Sequence, residues 1–175
     1  KKNGLEFRVF AGTMLGSNTS DPFYSLSPSG RSGNELYLYE GVFPDRFSGF
    51  PRTFWSRQMS LSEGAMVSFV NDSLGYSRWL CSISLTSSLP GKASIIPVKP
   101  FANLLLNDHR TGADNKPSLF FEAGLKAGIW NFFEVYFPLV VSENMKAICG
   151  PVKERIRFVF KLDKLNPLKT GSHKL

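Results

Sequence analysis

Over much of the chain, apolar and polar residues alternate with a period of two, the pattern of strands with one apolar and one polar face. The clearest stretch is Glu154 to Asp163. There Ile156, Phe158, Phe160 and Leu162 point one way, and Arg155, Arg157, Lys161 and Asp163 the other. Over 131–141, Phe133, Val135, Phe137, Leu139 and Val141 oppose Glu134 and Tyr136. Over 119–128, Leu119, Phe121, Ala123, Leu125 and Ala127 oppose Glu122, Gly124, Lys126 and Gly128. The pattern repeats at 77–86 (Trp79, Cys81, Ile83, Leu85), at 97–107 (Val98, Ala102, Leu104, Leu106) and at 5–12 (Leu5, Phe7, Val9, Ala11). Weaker strand candidates lie at 35–43 and 53–59. The good strands run to roughly 9–11 residues, longer than the mean of about 5–6 in soluble proteins and matching the length that crosses a bilayer at a tilt.

The links between these strands alternate in length. Gly128-Ile129-Trp130-Asn131 predicts a tight turn, whereas Asn107 to Pro117 and Ser142 to Val152 are long. The link from Ser88 to Ile96, with Pro90-Gly91, is intermediate. Outer-membrane barrels alternate short periplasmic turns with long external loops in this way. The expected organisation is one β-rich region over 1–175. Within it lie an irregular loop or hairpin region over 15–75, regular antiparallel strands over 76–165 and a polar tail over 166–175. The helix-compatible run Glu143-Asn144-Met145-Lys146-Ala147 is the main threat to an uninterrupted meander.

Composition supports an all-β chain. Phenylalanine occurs 16 times, aromatics make up 14%, and there are 15 Gly and 11 Pro, a mix of strands and turns rather than of helices or a disordered tail. The formal charge is +7, but no long Lys/Arg run accompanies it, so nucleic acid is not an expected partner. No stretch of apolar residues is long enough for a transmembrane helix. Cys81 and Cys149 have no motif spacing, and the histidines, His109 and His173, lie in polar sequence, so neither a metal site nor a cofactor is expected. Polar clusters such as Asp108-His109-Arg110 and Asp45-Arg46 supply no nucleophile, base and orienting group, so the segment is not expected to be an enzyme. The chain opens on Lys1-Lys2-Asn3-Gly4 and runs at once into strand sequence, which reads as a fragment of a longer protein.

Two architectures accommodate the alternation. In a soluble β-sandwich the apolar faces meet one another and the polar faces meet water. In an outer-membrane barrel, or part of one, the apolar faces meet lipid and the polar faces a lumen. The sandwich would bind a ligand such as a sugar or lipid, or a protein partner, in the periplasm or at the cell surface. For the barrel, Phe121, Leu125, Phe133, Phe137, Phe158 and Phe160 are the expected lipid-facing residues. Glu122, Lys126, Glu134, Arg155 and Arg157 are expected to form a structural charge network in the lumen, with Glu134 touching Arg155 or Arg157 and Arg31 reaching in from the long loop. Trp55, Trp79, Trp130, Tyr37, Tyr39 and Tyr76 lie near predicted strand ends, where rings suit a headgroup interface as well as an ordinary core.

Several segments carry a resemblance in their order along the chain. They are Phe7-Arg8-Val9-Phe10-Ala11-Gly12, Asp21-Pro22-Phe23-Tyr24 with Leu26-Ser27-Pro28-Ser29-Gly30, and Gly33-Asn34-Glu35-Leu36-Tyr37-Leu38-Tyr39. Further on come Ser77-Arg78-Trp79-Leu80, Phe132-Phe133-Glu134-Val135-Tyr136-Phe137-Pro138-Leu139, and Arg155-Ile156-Arg157-Phe158 with Lys164-Leu165-Asn166-Pro167. Together they resemble the C-terminal region of large M1-type metallopeptidase-like proteins of Gram-negative bacteria, in which a zinc aminopeptidase-like domain precedes an outer-membrane-barrel-like region. The resemblance implies a non-catalytic barrel module in the bacterial outer membrane, anchoring or pore-forming, with membrane lipid and the N-terminal part of the same polypeptide as partners. The family's HExxH motif has no counterpart, so no catalytic residue is carried over. More remotely, the layout resembles Omp85-type barrels, which fold a long loop into the lumen ahead of their last strands. Ser29-Gly30-Arg31-Ser32-Gly33 occupies that place here, with Ser where that loop has Gly after its Arg.

Overall fold

The structure, a computed structural model, describes residues 4–15, 26–30, 53–61, 63–70, 77–108, 117–129 and 132–160. It is all-β, as the alternation predicts. Six strands form one curled antiparallel sheet: β1 (Leu5–Thr13), β4 (Trp79–Ser87), β5 (Val98–Asn107), β6 (Ser118–Ile129), β7 (Phe133–Val141) and β8 (Arg157–Phe160), in that order. Two short strands, β2 (Ser29–Gly30) and β3 (Met66–Val70), pair separately and in parallel. The region between β1 and β4 leaves and re-enters the sheet at one end, where Thr13 pairs with Trp79 and Met14 N–H donates to the Arg78 carbonyl at 2.8 Å. The candidate strand at 35–43 and the interface residues Trp130, Tyr37, Tyr39 and Tyr76 lie outside the described residues, as do Arg31, His109, His173 and the polar tail.

The pleat separates two chemically different faces. By register, Phe7 lies beside Leu85, Val9 beside Ile83, Ile83 beside Leu104, Leu104 beside Phe121 and Leu125 beside Phe137. These residues share the outer face, and none of the positions on it is charged. Every charged residue of the six strands (Glu6, Arg8, Lys99, Glu122, Lys126, Glu134, Arg157) is on the inner face. The core also lies against that inner face, in two clusters. One joins Leu26, Met66, Leu80, Leu105, Phe120 and Val141 to Met145 and Cys149, and the other joins Met59, Val67, Phe101, Tyr136 and Val159. Among the described residues the outer face has no such cover over most of its width: Phe7 is 62% exposed and Leu104 41%.

A bulge in β7 widens the outer face. Pairing shifts between Ala123/Val140 and Gly124/Pro138, so Leu139 and Val140 both face outward and Val141 turns in. Glycine is required at 124, where a Cβ would come within 2.0 Å of the Phe137 carbonyl oxygen.

Two sequence expectations are corrected. The strand expected over 154–163 begins late, because α1 (Glu143–Cys149) and α2 (Val152–Arg155) fill the link after β7. Helix α1 is seven residues long and buries Met145 and Cys149, four apart and so on one face. Gly150 at φ 65° ends it, and Pro151 sits at the start of α2. The helices fold inward, and β6, β7 and β8 remain consecutive antiparallel neighbours. The second correction is at 53–59, which contains a 3₁₀ turn (Trp55–Arg57) rather than a strand; only Gln58 bridges the sheet, opposite Phe158.

Candidate functional site: the polar inner face

Glu122 is the centre of the inner face. It projects from β6 between the two apolar clusters and is 1% exposed. Its Oε1 accepts from the Val67 N–H and the Asn103 amide, each at 2.7 Å. Its Oε2 accepts from the Ser68 N–H at 2.9 Å and the Ser68 hydroxyl at 2.6 Å. The four donors match the acceptor capacity of an ionised carboxylate. Asn103 also donates to the Ala65 carbonyl at 2.9 Å, and Ser82 to the Glu63 carbonyl at 2.7 Å. The stretch 63–68 is therefore held on the inner face as a plug. The sheet contributes the Glu122 carboxylate, the Asn103 amide and the Ser82 hydroxyl, and the plug contributes backbone groups and the Ser68 hydroxyl.

The remaining inner-face charges sit elsewhere than expected. Lys126 reaches Glu134 at 3.9 Å and lies 5.6 Å from the Tyr136 ring centroid, while the Tyr136 hydroxyl donates to Glu134 at 3.1 Å. Among the described residues, the contacts of Glu134 are with Lys126 and Tyr136, and the arginines bond elsewhere. Arg155 is at the end of α2 and donates to the Gly150 carbonyl at 2.9 and 2.6 Å, closing the α1–α2 corner. Arg157 donates to the carbonyls of Glu154 and Ile156. The expected network thus divides into a Glu122 clamp, a Lys126–Glu134–Tyr136 cluster and two arginines that satisfy local backbone.

The six expected outward residues do share one face, but unequally. Phe121 and Leu125 are exposed, while Phe133, Phe137 and Phe160 are half-buried. Phe158 is 1% exposed and so is not available to lipid. Phe54 stacks on it at 4.9 Å and Trp55 meets it edge-on at 6.3 Å, so the 53–57 turn covers the outer face at the β8 margin. The chain then crosses the β8 edge, where the Met59 N–H donates to the Phe158 carbonyl at 2.8 Å, and places Met59 in the inner core. Alternation within β8 cannot reveal this cover, which comes from residues about a hundred positions earlier.

Between plug and sheet lies a cavity of about 420 Å³, with Glu6, Arg8, Lys126, Tyr136, Ser84 and Asn103 in its wall. Among the described residues no group of three His, Cys, Asp or Glu side chains could hold a metal ion, and both cysteines are free. Burial pushes the Cys149 thiol up from its ordinary pKa. Compared with known family models, with curated proteins and with solved structures, the chain matches none.

Proposed function

We propose that residues 1–175 are a non-catalytic outer-membrane β-barrel module from the C-terminal region of an M1-peptidase-like protein, and that the module anchors the polypeptide in the membrane. The observation that carries this reading is the inverted polarity of the sheet. The face turned to the surroundings is apolar and uncharged across β1, β4, β5, β6 and β7, while the charged face is turned inward and capped by a plug. A contiguous exposed apolar surface of this kind marks a membrane or partner interface, and the order is that of a barrel wall. The occupied inner face favours anchoring over conduction. The segment-by-segment resemblance to the M1-type C-terminal region is what supports this choice of parent protein and of a Gram-negative outer membrane.

The other reading, a soluble sheet domain binding a small ligand or a protein, is favoured by one observation, the cavity beside Lys126 and Tyr136. Flotation separates the two. The folded chain, mixed with phosphatidylethanolamine vesicles and spun through a density gradient, should float with the lipid and resist extraction by carbonate. Recovery in the aqueous fraction as a folded monomer would reject the membrane reading.

A further inference from the structure

The cavity between plug and sheet has a wall whose polar groups are not used up by the fold. Lys126 is 9% exposed, yet its ammonium makes no hydrogen bond among the described residues, and Glu134 lies 3.9 Å away, beyond hydrogen-bond length. An ammonium carries three donors, so Lys126 has donors left for an acceptor from outside the chain. The Ser84 hydroxyl, in the same wall, is buried and also has no partner. A buried hydroxyl left unpaired lowers stability, so packing does not explain serine at 84. Thr86 stands two positions along β4 on the same face. On the plug side, Ala65 has φ 58°, a left-handed backbone that is strained for a residue other than glycine and that gathers at ligand sites.

We infer that this cavity binds an uncharged saccharide, with Lys126 and Ser84 donating to its oxygens and the rings of Phe10, Phe101 and Tyr136 packing against its C–H face. The site lies on the inner face, so it is the same whether lipid or water surrounds the outer one. The formal charges in the described wall cancel, Glu6 and Glu63 against Arg8 and Lys126, so neither an anion nor a cation is favoured. The ammonium and hydroxyl donors call for a ligand rich in oxygen acceptors, which a hydrocarbon chain is not. The aromatic part of the wall, where Phe101 and Tyr136 meet edge-on at 5.6 Å, suits polarised C–H groups, which an inorganic ion lacks. The volume of about 420 Å³ lies within the range of small-molecule sites, about 300–1,000 Å³. Glu63, Ala65 and Val67 belong to the plug and also line the cavity, so an occupant bridges plug and sheet and holds the plug down.

The test is saturation-transfer NMR on the folded chain, in phosphatidylethanolamine vesicles or in buffer according to the outcome of flotation, which keeps a failure here separate from a failure of the membrane reading. Glucose, N-acetylglucosamine and maltose are the probes, with glucuronate, glucosamine and octanoate as charged and apolar controls. At least one neutral sugar should bind at millimolar concentration and shield 63–68 from protease. Lys126→Met should weaken that binding at least about tenfold, through loss of a charged hydrogen bond. Ser84→Ala should weaken it about threefold or more and leave resistance to denaturant equal or higher, because the unpaired hydroxyl is gone. A serine that served only the fold would lower that resistance and leave binding alone. Failure of all three sugars to bind would overturn the proposal. So would tighter binding of glucuronate, glucosamine or octanoate, or sugar binding unchanged in Lys126→Met or in Ser84→Ala.

Discussion

At the scale of single residues, Glu122 carries more of the fold than any ion pair. Replacing it with leucine leaves the Val67 and Ser68 amides and the Asn103 side chain without an acceptor in a buried site. The expected loss is about 3–5 kcal/mol in a denaturant titration, since each buried donor left unsatisfied costs about 1–3 kcal/mol. Protease cleavage at 63–68 should appear first, because the plug loses its anchor while the sheet keeps its ladder. The ion-pair partners Lys126 and Glu134, 3.9 Å apart, should matter less. Cys149 supplies a second residue-scale test. Its thiol is buried with a raised pKa, so less thiolate forms at any given pH and alkylation by iodoacetamide at neutral pH should be slow in the folded chain. Labelling as fast as in the unfolded chain would contradict the packing of α1.

At the scale of elements, the faces of the strands were legible because a period of two assigns each side chain whatever the strand packs against. That is why Phe121, Leu125, Phe133, Phe137, Phe158 and Phe160 share one side as expected. Residues 154–156 were not legible. Alternation through Glu154, Arg155 and Ile156 continues unbroken into β8, yet a short helix after Pro151 satisfies the same letters. The clamp was invisible for a different reason: Glu122 and its plug partners are 54 and 55 residues apart, so no local pattern joins them. The bulge offers an element-scale test. Gly124→Val would drive a side chain into the Phe137 carbonyl and break β6–β7 pairing beside the shift in register. Stability should fall by more than about 2 kcal/mol, with faster exchange of the β7 amides, whereas an isolated surface substitution stays within about 0.5 kcal/mol.

At the scale of the whole molecule, anchoring depends on what surrounds the outer face. Leu104, in the middle strands, is exposed and flanked by Ile83 and Phe121. Leu104→Arg should cost about 2–4 kcal/mol if that position faces the bilayer interior, and close to nothing if it faces water. The most direct measurement is the collision profile of nitroxides placed at Leu104, Leu106 and Leu119, with Thr86 as an inner-face control, in the chain reconstituted into vesicles. With the outer face in lipid, the three outer sites should collide readily with oxygen and hardly at all with a water-soluble nickel chelate, while Thr86 should not share that preference. Equal access of the nickel chelate to Leu104, Leu106 and Leu119 would place the outer face in water and contradict the account.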